Sequence, residues 1–382
     1  MSKELLVTLK PIDKFFFGTD MTFAVPTDDK EKKRRAERFA SYIIKSSRFP
    51  QQTSLLGMLR FMILSNSDCF EKGGIIDNDK KKDAAEKLIG PRSFTVASGG
   101  EEGNFGQIES LGACFLINNF DEKAPVFYSF APFDSEFKSS DSSIKGYVNG
   151  KEISLPVLEN YKAKDGYTER LKGSDGSFIP VSEVFVEDRR IGIARDVASG
   201  KTDSAGLFKQ VGYRFKDYAQ NGDSDVREKV ANWHFAFYVT VKDECKIEDY
   251  DGSIVSIGGD SSQFVFNVKD GVEDRRPELF EASSENQDVL KVVLQSPAYL
   301  KMEDFENMAF FFSNTIPFRF MVTSVKGTKD YTLRSGYQRS CRYELYAPGS
   351  VFYFLEKRDA DNFKKALENH KTFRTIGYNE YK

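Results

Sequence analysis

The sequence contains little of the chemistry that most enzymes use. Only two of its 382 residues are histidines, His234 and His370, and neither has a cysteine or a second histidine at metal-ligand spacing. The four cysteines lie far apart and form no Cys-x-x-Cys pair, which is typical of reduced, intracellular proteins. We therefore expect no zinc or other metal site and no cofactor.

The stretches rich in glycine and serine match no catalytic or phosphate-binding motif. "IGGDSSQF" lacks the GxxxxGK[ST] pattern and favours a hairpin turn, whereas "SGGEEGNFG" carries acidic neighbours that would repel phosphate. The serines do not form a GxSxG elbow. The sequence predicts no active site.

Long apolar runs are also missing. "MAFFF" and "ACFLI" have the length of core strands, far below that of a membrane span. Lys10, Asp13 and Lys14 interrupt the apolar start of the chain, which does not resemble a signal peptide. We expect a cytoplasmic protein without membrane contact.

The formal net charge of -3 argues against a general positive coat for nucleic acid. Basic residues are instead concentrated in three runs, 34–48, 189–216 and 319–342, whereas 242–260 is acidic. The run 189–216 holds seven basic residues against Asp196 and Asp203. Since Arg and Lys hold phosphates and interleaved aromatic rings stack on bases, the runs predict a local polyanion site, with solvated surface as the alternative for any one run.

The pattern of apolar residues predicts an α+β fold with antiparallel sheets. "ELLVTLKP" predicts an opening strand, and residues 134–176 predict a linker or insertion. Strands dominate after Ser182 and include a hairpin over 189–215, and a last short strand is expected near "FRTIGYNEY". Helical spacing is found in three segments, "KEKKRRAERFASYIIKSS", "RFPQQTSLLGMLRFMILSN" (capped near Thr53 or Ser54) and "DADNFKKALENH".

The order of these elements predicts two domains, 1–180 and 181–382. A strand, a helix and paired strands make the opening half of a ferredoxin-like βαββαβ unit, and the C-terminal part repeats the mixture of strands and helix. Each sheet is expected to be covered by helices on one face.

Several motifs, in order and spacing, resemble those of one family: the third subunit of the Cmr effector complex of type III-B CRISPR systems, a RAMP protein. The similarity spans most of the chain. Its motifs are "LKPIDKFFFG", "FPQQTSLLGMLR", "RRIGIARDVASGKTDSAGLFKQ", "IGGDSSQF", "LQSPAYL" and "YAPGSVFYF". The chain departs from the family in its C-terminal glycine-rich loop, which is reduced to "TIGYNEY" with a single Gly377, and in the position of the acidic residue after Arg195.

The resemblance implies tandem ferredoxin-like, RRM-like domains without catalysis. It implies binding of the 5′ handle of CRISPR RNA, contact with target RNA only indirectly, and a junction between the large polymerase/cyclase-like subunit and a backbone RAMP subunit. Because strands alternate their faces, we expect Ile191 and Ile193 of the 189–215 hairpin to point inward and Arg190 and Gly192 to face out, so that its loop can extend as a thumb against the guide RNA with Lys201 near the tip.

The candidate RNA-binding residues come from the basic runs, from the helix opened by "FPQQTSLLGMLR" and from the C-terminal loop. A helix N-terminus offers unpaired N–H groups to phosphate, so the helix is expected to face the handle. The candidates are Arg48, Gln52, Thr53, Ser54, Arg60, Arg190, Arg195, Lys201, Lys209, Arg214, Arg339, Gly377 and Tyr378.

Three alternatives stay open from the sequence. One is a RAMP endoribonuclease that trims CRISPR RNA with His234 or a Tyr/Lys pair, although scarce histidine weighs against it. Another is a protein-interaction module whose interface is the acidic patches around Asp249 and Glu278. The third is the equivalent handle-binding subunit of another type III complex.

Overall fold

The structure is a computed structural model of the whole chain. It describes residues 2–19, 22–26, 39–71, 74–96, 103–120, 124–136, 139–148, 151–158, 164, 168–195, 199–200, 202–220, 227–229, 231–260, 262–272, 274–276, 290–326 and 337–382.

Strands outnumber helices in the first part of the chain, as its Phe, Val and Ile content favours. The strands are β1 (Ser2–Pro11), β2 (Thr22–Pro26), β3 (Phe39–Lys45), β4 (Phe70–Glu71), β5 (Gly74–Ile75), β6 (Ile108–Leu111), β7 (Phe115–Asn118), β8 (Val126–Phe130), β9 (Ser139–Val148), β10 (Lys151–Leu158), β11 (Arg170–Gly173) and β12 (Phe178–Pro180). The helices here are α1 (Gln52–Ser65) and α2 (Asp79–Ile89).

The second part of the chain begins with a short helix and a long hairpin. Its strands are β13 (Phe185–Arg195), β14 (Thr202–Phe215), β15 (Tyr218–Gln220), β16 (Arg227–Lys229), β17 (Trp233–Lys242), β18 (Ile254–Ser256), β19 (Gln263–Asp270), β20 (Leu290–Val293), β21 (Phe310–Phe312), β22 (Thr315–Phe318), β23 (Met321–Thr323), β24 (Tyr337–Arg339), β25 (Tyr343–Tyr346) and β26 (Val351–Phe354). Its helices are α3 (Val181–Val184), α4 (Lys357–Asn369) and α5 (Lys371–Thr375).

The largest sheet is built around β1. Its strand order is β12-β11-β8-β7-β17-β1-β19-β18, and β6 also pairs with β17. Leu5 and Val7 belong to the same core as Leu59 of α1, whereas Leu6 belongs to a separate core with Phe115. Both faces of β1 are thus buried, which explains its nearly continuous apolar run.

A third core lies near the C-terminus. Strand β26 pairs antiparallel with β20 and β21, and Phe352 and Phe354 of β26 pack on Phe363 of α4. All described strand pairs are antiparallel except the parallel pair of β14 and β3. The predicted α+β class with antiparallel sheets is confirmed.

The division into two domains stays a prediction, but the sheet pairing bears on its boundary. Strand β1 pairs with β17 and β19, which follow residue 180, so a boundary at that residue would separate strands of one sheet. The separate C-terminal core is formed by residues after 290, whereas Phe318 and Phe373 belong to the core of the largest sheet.

One predicted helix is wrong. The segment "KEKKRRAERFASYIIKSS" forms strand β3 over Phe39–Lys45, which pairs with β2 on one side and β14 on the other. Its aromatic and β-branched residues favour a strand, and pairing with two distant strands overrides the helical spacing. The basic start of the segment, residues 30–38, lies outside the described residues.

The other two predicted helices are confirmed as α1 and α4. The expected cap of α1 is not found, because its N-cap residue is Gln51, which makes no side-chain capping hydrogen bond. The last predicted strand is also wrong: Lys371–Thr375 forms α5, and a turn after it leads to Tyr381, which makes a single bridge to Leu294. The predicted insertion at 134–176 contains its own β-hairpin, β9–β10.

Candidate nucleic-acid interface

The predicted basic hairpin exists, and its first strand begins at Phe185, before the predicted start at residue 189. Strands β13 and β14 pair antiparallel from Phe185↔Phe215 to Arg195↔Thr202, with an irregularity after Ile193. Strand β14 also pairs in parallel with β3. Both strands of the hairpin therefore belong to the four-stranded sheet β13-β14-β3-β2, in which β13 is an edge strand. The hairpin is therefore anchored along one edge.

The predicted orientation of one hairpin side chain is wrong. Ile191 is 71% exposed, although we expected it to point inward. Arg189 and Arg190 are exposed too, because this part of the hairpin extends beyond the core and neither of its faces is fully covered. Strand alternation sets inward and outward faces only where a core lies on one side.

Carboxylates that lie outside residues 189–216 neutralise basic side chains at the base of the hairpin. Glu187 pairs with Arg189 at 2.7 Å and with Lys45 at 3.3 Å. Arg190 lies 3.3 Å from Asp260, which comes from the loop between β18 and β19. The hydrogen bond from Arg189 is the main reason why the pKa of Glu187 is lowered. Much of the positive charge counted here is already balanced.

Two predicted cations of β14 keep unbalanced charge. Lys209 is half-buried and Arg214 is exposed, and neither has an ion-pair partner among the residues that the structure describes. Arg195 ends β13, but its side chain lies outside the described residues, as does the whole of Lys201. Lys209 and Arg214 are thus the described hairpin residues best placed to meet phosphate.

Gln52 is not on the surface. It is 3% exposed, and its Nε2 donates hydrogen bonds to the carbonyl oxygens of Gly112 and Ile376, both at 2.8 Å. These bonds join the start of α1 to the loop after β6 and to the end of α5. The placement contradicts the expectation that Gln52 lies exposed at the start of α1.

Arg60 is also buried, at 6% exposure. Its Nε donates a hydrogen bond of 2.8 Å to the carbonyl oxygen of Ile89 at the end of α2. Burial lowers the pKa of Arg60 to about 10. We expected Arg60 to bind RNA, but its side chain satisfies an end carbonyl of α2 instead.

Gly377 and Tyr378 occupy the interior next to Gln52. Gly377 has a φ of +82°, and a Cβ there would lie 2.1 Å from Gln52 Nε2 and 2.5 Å from the Gly112 carbonyl oxygen. Tyr378 is buried, and its hydroxyl lies close to Thr53 at the start of α1. Burial raises the pKa of Tyr378. Both residues support the fold rather than present a loop to solvent.

A cleft opens where the loop before α1 meets the C-terminal part of the chain. Its volume is about 350 Å³. The residues around it come from 45–52, from β14 through Tyr213, from 295–297 and 315–318, and from Tyr378. Three predicted residues, Arg48, Gln52 and Tyr378, thus line one cavity although they are far apart in sequence.

Arg48 stands at this cleft with its charge partly engaged. Its Nη1 donates a 2.6 Å hydrogen bond to Glu169, and its guanidinium lies 5.7 Å from the ring centroid of Tyr213. Its Nε has no hydrogen-bond partner in the described part of the chain. An arginine beside an aromatic ring at a cavity mouth is suited to hold a phosphate or a base.

The remaining candidates lie apart from the cleft. Thr53 and Ser54 are half-buried at the start of α1, and Ser54 lines a separate groove of about 480 Å³ between α1 and residues 256–259. Arg339 is exposed at the end of β24, which pairs with β23. The structure does not bring these residues together with the hairpin cations.

Sequence reasoning missed two residues of the cleft, Gln295 and Tyr213. Gln295 is 7% exposed, and its side-chain Nε2 has no hydrogen-bond partner among the described residues. It belongs to "LQSPAYL", a motif noted only for its order in the chain. Tyr213 lies next to the predicted Arg214, on the opposite face of β14.

The groups that the endoribonuclease alternative would use are poorly placed for acid-base chemistry. His234 is buried in β17, and its ring centroid lies 5.4 Å from that of Phe120. A Tyr/Lys pair does occur, since Tyr353 and Lys291 both bond to Asp134, but burial raises the pKa of Tyr353 and disfavours its ionised form. Among the described residues no cluster of His, Cys, Asp or Glu could hold a metal ion, and no helix is long and apolar enough to cross a membrane.

Comparison with known proteins identifies the family. Residues 7–381 match the model for the CRISPR-associated protein family Cas_Cmr3, whereas no curated protein matches the sequence. This chain is similar to chains in two cryo-EM structures of the type III-B Cmr-β complex bound to cognate target RNA, one of which also contains AMPPnP. In both comparisons the identity is 13%, the TM-score is 0.48, and the match covers 99% of this chain and 96% of the other. A chain of the apo complex is similar at 11% identity and a TM-score of 0.26, over 70% of this chain and 97% of its own. Because the family model matches nearly the whole chain, this protein belongs to the Cmr3 family of CRISPR-associated proteins.

Proposed function

We propose that this chain, a subunit of a type III-B CRISPR effector, binds the 5′ handle of CRISPR RNA without catalysing a reaction on it. The observation that carries the proposal is the course of strand β14. Lys209 offers unbalanced positive charge on the same face of this strand as Tyr213, which lines the cleft beside Arg48, whereas Arg214 lies on the opposite face. Cations that lead to an aromatic-lined cavity are suited to hold a single RNA strand.

The slightly acidic charge of the whole chain fits a single local RNA site. General affinity for RNA would need a positive surface, whereas here most basic side chains at the base of the hairpin are already paired. Specific binding then depends on the few cations without partners and on the shape of the cleft.

We also propose that the acidic segment 242–260 meets the large polymerase/cyclase-like subunit, so that this chain bridges that subunit to the backbone RAMP subunit. Glu244 and Asp249 are exposed around the short 3₁₀ turn Ile247–Tyr250, so their charge is available to a basic partner. Glu278, which belongs to the second acidic patch, lies outside the described residues.

The test compares RNA binding by the full chain alone and together with the large subunit. The probe is a synthetic RNA that carries the repeat-derived 5′ end, and a shuffled RNA of equal length and composition is its control. We expect weak, salt-sensitive binding by the chain alone and tighter, handle-selective binding beside the partner. Equal affinity for the two RNAs in both settings would refute handle binding.

A further inference from the structure

Segments that are distant in sequence together build the cleft. The loop before α1 supplies Phe49, the segment after β20 supplies Gln295, and β22 supplies Ile316 and Phe318. Its volume of about 350 Å³ is at the lower end of the range for ligand pockets, about 300–1,000 Å³. The cavity is therefore suited to one small planar group rather than to a length of chain.

Two amide side chains of the lining carry unused hydrogen-bonding atoms. The Nε2 of Gln52 donates two hydrogen bonds to backbone carbonyls, and these bonds fix the orientation of the amide. Its Oε1 is then a buried acceptor without a partner in the described residues. Gln295 likewise keeps a buried Nε2 donor without a partner there. Buried polar atoms are usually paired, so these two atoms are suited to bond a ligand that enters the cleft.

The rest of the cleft separates apolar walls from charged rim residues. Phe49, Phe130, Val181, Ile316, Phe318 and Leu345 are among the apolar lining residues. The cations of the lining are Lys45, at the end of β3, and Arg48, in the loop that leads into α1, and both are paired with glutamates. Apolar walls with a few amide groups suit the uncharged ring of a nucleobase, whereas the arginine and lysine suit its phosphate.

We propose that this cleft takes up one nucleobase turned out of the bound RNA strand and reads its edge through the amides of Gln295 and Gln52. The proposal rests on the proposed function, since the base belongs to the handle. Gln52 Oε1 accepts an N–H of the base, and Gln295 Nε2 donates to an acceptor on the same ring. Every natural base carries both kinds of group, and their order around the ring selects among the bases.

The experiment measures the affinity of the full chain, assembled with its large partner, for a set of handle RNAs in which each position in turn is abasic or carries another base. Wild-type protein is compared with Gln295→Leu and Gln295→Glu. The control is Gln263→Leu, which changes an exposed glutamine of β19 outside the cleft. Thermal melting and incorporation into the complex confirm that each variant folds.

For wild type we expect one handle position at which loss of the base weakens binding about tenfold or more, because a site built for a hydrogen bond rejects a ligand that lacks it. Gln295→Leu should remove the preference at that position only, Gln295→Glu should reverse it because a carboxylate only accepts hydrogen bonds, and Gln263→Leu should keep the wild-type pattern. The same pattern in all variants would overturn the proposal.

Two further outcomes are informative. If free nucleoside monophosphates bind in a manner that depends on Gln295 while the handle scan does not, the cleft is a nucleotide site and the proposal is wrong. If the wild-type protein does not prefer handle RNA over other RNA, the proposed function itself is wrong. If it does prefer handle RNA but the base preference persists in Gln295→Leu, only the assignment of the cleft is wrong.

Discussion

Gln52 and Gly377 fit together because Gly377 has no side chain. A Cβ on Gly377 would lie 2.1 Å from Gln52 Nε2, the atom that also bonds to Gly112 and Ile376. The contact joins the first long helix to the last turn of the chain, and Tyr378 beside it lines the cleft. The position of one cleft wall thus depends on a glycine.

Gly377→Ala should destabilise the protein by about 2 kcal/mol or more. Alanine at a φ of +82° is strained, and its methyl group must displace Gln52 or the Gly112 carbonyl. The measurement is chemical denaturation of the full chain. The control is Gly57→Ala inside α1, where a Cβ meets no atom within 4 Å, and which should stabilise by about 0.5–1 kcal/mol. A loss of stability as large in Gly57→Ala would contradict this account.

The sequence predicted α1, α4 and the hairpin because their own patterns agree with the fold that surrounds them. It failed at β3, where local helical spacing conflicts with pairing to β2 and β14, and only the long-range partners decide between strand and helix. The candidate site shows the same limit. Composition revealed the cations of β14, but it could not show that Asp260 and Glu187 neutralise some hairpin arginines.

Arg60→Met should lower stability and leave RNA affinity unchanged. The change removes the hydrogen bond to the Ile89 carbonyl, which costs about 1–3 kcal/mol when a buried acceptor is left unpaired. Arg214→Met is the matched control, because Arg214 is exposed and should show the reverse: unchanged melting and weaker RNA binding. Thermal melting and RNA titration of both variants check the prediction. Reduced RNA affinity in folded Arg60→Met would return Arg60 to the RNA site.

Replacing Lys209 and Arg214 together by Ala should weaken handle binding and reduce its dependence on salt. Each lost phosphate contact on a single strand lowers the slope of log affinity against log salt by about 0.7, so the double variant should lose at most about 1.4. Titrations at several salt concentrations provide the slope. Arg189→Ala is the control, because Glu187 already neutralises that arginine, and its slope should stay close to that of wild type.

The triple change of Arg195, Lys201 and Lys209 to Ala extends the same test to the distal part of the hairpin. It should weaken retention of the guide RNA and flatten the salt dependence further, because each added lysine or arginine is a possible phosphate contact. Unchanged retention and salt slope, with folding confirmed by melting, would mean that these side chains are only solvated surface.

The chain should not cleave RNA. General acid-base cleavage needs a reachable group of suitable pKa, yet His234 is buried beside Phe120. His370 lines a groove of about 910 Å³, but its Nε2 lies 3.3 Å from Asp304, whose carboxylate also accepts from the Lys301 backbone. Incubation of the full chain with labelled precursor RNA should therefore give no defined product. A product that disappears in His370→Gln, while thermal melting is unchanged, would make this groove an active site and the chain an endoribonuclease. A product that persists in that variant would point to a contaminating nuclease.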